Sequence, residues 1–282
     1  LVAMGQMFAL LTGGFDLSVG TIIALTSVVG ATAMAGLMGV FPDALPLVIA
    51  GGVLAGIAAG TLVGAVNGLG VSLFGVSPFM MTLGMTSVGF GIALYMTGGT
   101  PVYGMPVEFS DIFGFGTFLG IPAPVYVALA LMVTLYLVCD WTRLGRYFYA
   151  VGGNCKAAAL SGINTRMVLF LAYVFSGGVA AISGMLLTAR LDTGEANIGA
   201  SFPLESIAAC VIAGVSLRGG VGRLENVVLG ALFIGLIQNG MNLMKVEPFT
   251  QKVVLGAVIL AAVLLDTLKH KGWFQSKRPA AG

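Results

Sequence analysis

Apolar residues follow one another along this chain in long blocks, separated by short clusters of glycine, proline and charged residues. Because about 20 apolar residues cross the hydrocarbon core of a bilayer as a helix, most of these blocks are long enough to span a membrane. They lack the apolar and polar alternation of membrane β-strands. The pattern predicts helical segments at 1–12, 19–40, 45–69, 78–97, 123–141, 167–189, a shorter one at 204–217, 224–244 and 250–268.

Composition supports a membrane protein. Of the 282 residues, 58% are hydrophobic and only 9% are charged, whereas roughly a quarter of the residues in a soluble domain are charged. We therefore expect an all-α, polytopic transmembrane bundle of about eight to nine spans, forming one domain over 1–282. The first residues already lie in an apolar run without an initiator Met, so we also expect one or more spans upstream.

The cations indicate an orientation. With the C-terminal tail inside, the loops at 142–166 and 218–223 lie on the same side, and cytoplasmic loops are enriched in Lys and Arg. Ten cations then lie inside and three outside. The inner set is Arg143, Arg146, Lys156, Arg166, Arg218, Arg223, Lys269, Lys271, Lys277 and Arg278, and the outer set is Arg190, Lys245 and Lys252. We predict a multi-pass inner-membrane protein with a cytoplasmic C-terminus.

Several kinds of chemistry find no support in the sequence. The net charge of +2 gives no basic stripe for a nucleic acid. The three cysteines lack the spacing of a disulfide framework or metal site, and no histidine pair is present. The glycine-rich turn at 218–223 does not match the phosphate-binding pattern Gly-x4-Gly-Lys-Ser/Thr. We expect no enzyme activity, metal or cofactor in this chain.

The longest inner loop, 142–166, is more than a plain connection. Glycines bracket an alanine-rich stretch from Lys156 to Leu160, which predicts a short helix between two turns with Asn154 as its N-cap. Its small side chains would let another protein pack closely. The loop is therefore a candidate docking element.

Three further patterns concern helix ends and helix packing. Asp16 or Ser18 is expected to cap the helix that follows the interruption at 13–20, and Ser77-Pro78 predicts a cap with proline in the first turn. Gly52, Gly56, Gly60, Gly64 and Gly68 recur at every fourth position, which predicts one closely packed helix face.

Side chains near the helix interruptions are candidates for the translocation pathway. A buried ionisable residue such as Asp16 normally faces a partner or a water-filled path, although a capping role at the inner end of a helix is as good an interpretation. Polar side chains in membrane helices also serve as contacts between helices. The candidate set is Asp16, Ser18, Asn67, Phe79, Thr82, Asn239 and Asn242.

Five segments carry a resemblance to a known family. In order and over almost the whole chain, they resemble the permease subunits of bacterial ATP-binding-cassette (ABC) sugar importers of the ribose, xylose, arabinose and galactose type. The segments are Leu11–Gly20, Ser77–Gly84, Thr142–Ile163, Glu205–Gly222 and Gln238–Leu243.

The resemblance implies an assembly. Its members pair with a second permease, identical or closely related, with two cytoplasmic ATPase subunits that hold ATP and Mg²⁺, and with a periplasmic sugar-binding protein. In the family, the inner loop docks on the ATPase. The corresponding positions here are Gly152, Gly153, Asn154, Ala157, Ala158, Ser161 and Gly162.

Two alternatives remain open from sequence alone. A permease of the same fold could carry nucleosides, branched-chain amino acids or a signalling furanoside instead of a sugar. A secondary transporter or channel would need no ATPase, but it predicts ionisable residues buried in several spans, and few are visible.

Overall fold

A computed structural model describes residues 1–270, without the side chains at 262 and 265–270. Within that range the chain is almost entirely helical, and one small hairpin joins β1 (Thr117–Phe118) to β2 (Ile121–Pro122). Two π-helical turns occur at Ser110–Gly114 and Leu137–Trp141. The helices are α1 (Val2–Leu11), α2 (Val19–Val40), α3 (Leu45–Ser72), α4 (Pro78–Thr97), α5 (Val107–Phe109), α6 (Ala123–Tyr136), α7 (Arg143–Gly153), α8 (Cys155–Leu160), α9 (Thr165–Leu191), α10 (Phe202–Ile212), α11 (Leu224–Leu243) and α12 (Pro248–His270).

The predicted all-α membrane bundle is confirmed. Each predicted apolar segment coincides with a helix, because a backbone in hydrocarbon must satisfy its own polar groups. By length and composition, six helices in the described range can cross a membrane: α2, α3, α4, α6 with its π-turn, α9 and α11. Three more are apolar but shorter, at Val2–Leu11, Phe202–Ile212 and Pro248–Ala261. The predicted count of eight to nine spans is therefore approximate.

Helix α10 has 11 residues, too few to span a membrane alone, and an irregular segment leads into it. After α9, residues 193–201 run back beside α2, where Glu195 N donates to Ser27 Oγ at 3.1 Å. Gly199 then packs against the backbone of Gly20. The predicted segment 204–217 is too long at its end, because α10 stops at Ile212 and Gly214, at φ +82°, turns the chain.

The centre of the bundle is the packing of α3 against α9 and α2, along the predicted glycine face. A Cβ added to Gly64 would lie 2.5 Å from Tyr173 O, and one added to Gly68 would lie 2.7 Å from Phe170 O. Gly60 faces Thr26 and Ala181 equally closely. The prediction of tight packing is confirmed, because only a hydrogen on these Cα atoms leaves room for the neighbouring backbone.

Replacing Gly64 with alanine is expected to destabilise the protein by about 1–3 kcal/mol, because the new methyl group must displace the backbone of α9. Gly84→Ala on α4 is the matched control, since a Cβ there has no heavy atom within 4 Å. Thermal unfolding in detergent, followed by size-exclusion chromatography, measures both. Equal melting temperatures for the two variants would contradict the packing assignment.

The loops form two groups at opposite ends of the bundle. At one end, Gly220 N donates to Leu11 O at 2.9 Å, and Tyr149 Oη donates to Gly222 O at 3.0 Å. At the other, Val102 and Gly194 form a β-bridge, and Arg190 Nη1 donates to Gly114 O at 3.2 Å. The loops at 142–166 and 218–223 therefore share one end, as predicted.

The orientation of these ends stays a prediction. Of the cations that indicate it, Lys271, Lys277 and Arg278 lie outside the described residues.

Candidate functional site

A break between α1 and α2, residues 12–18, passes through the protein interior. Asp16 and Ser18 are completely buried there. Asp16 Oδ1 accepts hydrogen bonds from Ser18 Oγ at 2.6 Å and from Ser18 N at 3.0 Å, and Asp16 Oδ2 accepts one from Ser176 Oγ of α9 at 2.7 Å. Asn67 Nδ2 of α3 donates to Ser18 Oγ at 2.7 Å. The carboxylate thus joins the break to two long helices.

The backbone of this helix break is also held by side chains. In the amide orientation that matches donor to acceptor, Gln6 donates to Asp16 O at 3.0 Å and accepts from Asp16 N at 3.2 Å. From α4, Thr82 Oγ1 lies 3.3 Å from Phe15 O and Thr86 Oγ1 lies 3.0 Å from Leu17 O, although each hydroxyl shares its one proton with a nearer carbonyl of α4, at 2.9 and 2.8 Å. Irregular backbone is tolerated at membrane depth when protein groups satisfy it in this way.

We call Gln6, Asp16, Ser18, Asn67 and Ser176 the polar cluster. The structure corrects the helix caps that the sequence predicted at Ser18 and Ser77. Ser18 occupies the N-cap position of α2, but its side chain accepts no hydrogen bond from the first turn of that helix, and Asp16 bonds only the N–H of Ser18. Ser77 likewise makes no capping bond, although proline does begin α4. The Ser18 hydroxyl instead donates to the buried carboxylate of Asp16, because a buried charge needs hydrogen-bond donors.

The pathway candidates fall into two sets. Asp16, Ser18, Asn67 and Thr82 are completely buried around the helix break. Phe79, Asn239 and Asn242 are exposed, and Asn242 Oδ1 accepts from Gln251 Nε2 at 2.9 Å. The structure does not bring the two sets together, and their role in the pathway stays a prediction.

Three other members of the site, Gln6, Ser176 and Thr86, were not found from the sequence. Each is an uncharged polar residue within a membrane helix, and nothing in the local sequence distinguishes it from a contact between helices.

The candidate docking loop, 142–166, contains two helices. The predicted short helix is α8, and Asn154 caps it by accepting from Ala157 N at 3.0 Å. Helix α7 was not predicted. Its signal was present, because Leu144, Phe148 and Val151 follow the i, i+4, i+7 spacing of a helix face that packs on the bundle. Thr142 caps α7 by accepting from Gly145 N at 3.2 Å.

The predicted docking residues divide by exposure. Five are exposed: Gly153, Asn154, Ala157, Ser161 and Gly162. Ala158 is buried, at 5% exposure, and packs in the apolar core of the helix bundle itself. Leu160, not selected from the sequence, is 90% exposed at the end of α8. The surface available to a partner is therefore the outer face of α8, with Leu160 at its edge.

Glycines fasten this loop to the start of the helix break, at a contact we call the glycine junction: Leu11, Gly152, Gly153, Gly219 and Gly220. A Cβ on Gly152 would overlap Leu11 O and lie 2.5 Å from Gly220 N. A Cβ on Gly220 would lie 2.7 Å from Gly153 Cα. Three backbone segments therefore touch directly, which side chains would prevent.

Tyr149 adds a side-chain bond beside this junction. The Tyr149 phenol donates to Gly222 O at 3.0 Å, and burial raises the pKa of this phenol further above its ordinary value. Helix α7 is thereby fixed to the turn that precedes α11.

In the described part of the chain, no cluster of three or more His, Cys, Asp or Glu side chains could hold a metal ion. Cys139, Cys155 and Cys210 are free thiols, two of them buried.

Comparison with known proteins identifies the class. A family model described as the permease component of the branched-chain amino acid transport system matches residues 1–263. The chain belongs to this family of membrane permeases. Within the family, its relatives include named sugar permeases, and no solved structure matches the chain.

Three of these relatives cover nearly all of the chain. The D-allose transport system permease protein of Escherichia coli K12 is 41% identical over 96% of this chain and 80% of its own length. The ribose import permease protein of Bacillus subtilis 168 is 40% identical over 95% of this chain and 81% of its own length. The L-arabinose transport system permease protein of Escherichia coli K12 is 35% identical over 96% of this chain and 80% of its own length.

Proposed function

We propose that this chain is the membrane-spanning subunit of an ABC importer that carries a small sugar, a pentose, hexose or related polyol, across the bacterial inner membrane. The observation that carries the proposal is the similarity to permeases for D-allose, ribose and L-arabinose over at least 95% of the chain. The description of the matching family model names branched-chain amino acids as the solute. The individual relatives, however, favour a sugar.

The distribution of buried charge disfavours an ATPase-independent secondary transporter. Ion-coupled carriers place several ionisable groups inside the membrane. Among the side chains whose burial is described, Asp16 is the only buried Asp, Glu, Lys or Arg. Its two carboxylate oxygens are already held by hydroxyl and backbone donors, which leaves it poorly placed to exchange an ion.

The energy for uphill transport would come from partner subunits. We propose that two ATPase subunits, which hold ATP and Mg²⁺, dock on the exposed face of α8 from the cytoplasm. This requires the end that contains the 142–166 loop and the C-terminus to face inward, as the cation distribution favours. A second permease and a periplasmic sugar-binding protein complete the assembly.

Reconstitution tests the proposal. Proteoliposomes containing the permease, its ATPase and the binding protein are expected to accumulate radiolabelled ribose, D-allose or L-arabinose against a gradient only when ATP is supplied. Omitting the ATPase should abolish accumulation. Unlabelled leucine and adenosine serve as competitors that should not reduce uptake.

Two results would contradict the proposal in different ways. Uphill accumulation by the permease alone would exclude an ATPase-driven importer. Uptake of leucine or adenosine, with no sugar carried, would keep the ATPase but assign another solute.

A further inference from the structure

A continuous chain of contacts runs from the docking loop to the helix break. Helix α8 follows α7 directly, and the last residues of α7 belong to the glycine junction. There Gly152 touches Leu11 O, and Gly220 N donates to the same oxygen at 2.9 Å. Backbone in contact with backbone has no flexible side chain to absorb a displacement. A movement of α7 must therefore move the end of α1.

The contacts continue from the break into the membrane helices. Gly13 lies against Arg218 O, and Gly14 lies against Tyr173 Oη of α9. Two residues after Gly14, Asp16 binds Ser176 of α9, and through Ser18 it reaches Asn67 of α3. Helices α3 and α9 make the closest packing of the bundle, so whatever displaces Asp16 acts on its centre.

The polar cluster also has unused hydrogen-bonding capacity. In the described part of the chain, Asn67 Oδ1 and Tyr173 Oη are buried atoms without a partner, and both belong to side chains next to the break. Buried polar atoms are normally paired, because losing water without a replacement is unfavourable. Each of these two groups therefore has capacity for a further hydrogen bond beside the break.

We propose that residues 12–18 are the coupling segment of the transporter, and that Asp16 and Ser176 are its positioning residues. When the ATPase moves the docking loop, the glycine junction displaces the helix break, and the Asp16–Ser176 bond passes that displacement to α9. The inference rests on the proposed function, since it needs a partner that moves the loop. It goes further by naming where the motion enters the membrane.

The test compares solute transported with ATP hydrolysed in the complete reconstituted importer. Ser176→Ala and Asp16→Asn remove or alter the bond between the break and α9 while changing few atoms. Both variants are expected to fold, bind the ATPase and hydrolyse ATP. The ratio of sugar carried to ATP hydrolysed should fall by about tenfold or more, within the usual range of coupling between sites.

Two controls separate coupling from folding. Ser183→Ala removes another hydroxyl of α9, one that donates only to Val179 O of its own helix at 2.8 Å, and it should keep the normal ratio. Ser176→Thr retains a hydroxyl and should restore most of the normal ratio of sugar carried to ATP hydrolysed.

The outcomes are distinct. An unchanged ratio in Ser176→Ala and Asp16→Asn overturns the coupling role. Failure of both variants to fold also overturns it, because the cluster would then serve the fold alone. Should the unmodified permease neither bind the ATPase nor depend on it, the proposed function itself is wrong.

Discussion

Gly152→Ala is expected to destabilise the permease strongly, whereas Gly153→Ala should leave its stability unchanged. A methyl group on Gly152 would occupy the position of Leu11 O, and its nearest other neighbour, Gly220 N, is also backbone. Neither can move without breaking the junction of α1, α7 and the turn before α11. We expect a loss of about 3 kcal/mol or more, at the upper end for overpacked sites.

Gly153 is the matched control because it is adjacent in sequence and open in space. No heavy atom lies within 4 Å of a Cβ built there. Yield of monodisperse protein from detergent extracts and the melting temperature distinguish the two variants. A Gly152→Ala protein with the same melting temperature as the wild type would show that the glycine junction is not tightly packed.

A larger change at Gly153 separates docking from folding. Gly153→Trp should insert and fold, yet fail to co-purify with the ATPase, since the indole would project from the exposed end of α7.

The membrane helices could be predicted from sequence because lipid imposes one rule on all of them. In lipid, each apolar segment must pair its own backbone N–H and C=O groups, which makes it a helix. Length and hydropathy alone therefore locate helices such as α2, α4 and α9. The glycine spacing in α3 was equally informative, since a period of four residues places Gly60 and Gly64 on one face.

The polar cluster could not be predicted because it depends on contacts between distant residues. Asp16 and Ser176 are 160 positions apart, and Asn67 lies 49 positions from Ser18. Local patterns therefore left Asp16 and Ser18 with two interpretations, a helix cap or a place in the translocation pathway. Only the packing of α3 and α9 shows that the same groups hold an irregular backbone inside the bundle.

In the candidate docking loop, some features could be predicted from the sequence and others could not. The cap at Asn154 and the helix that follows were predicted, because capping acts within three residues. Exposure was not predictable for a run of alanines, in which Ala157 faces outward and Ala158 packs inside. Likewise, a stretch of glycines conceals that Gly152 is enclosed while Gly153 is open.

The two neighbouring alanines give the sharpest test of the docking surface. Ala157→Trp is expected to leave the permease folded and to abolish ATPase binding and sugar uptake, because its side chain lies on the exposed face of α8. Ala158→Trp should instead destabilise the permease by about 1–3 kcal/mol or more, since a large ring cannot fit into a well-packed core. Co-purification with the tagged ATPase measures binding, and melting temperature measures the fold. If Ala157→Trp bound the ATPase normally, α8 would not be the docking helix, and the ATPase would have to contact another part of the same end of the bundle.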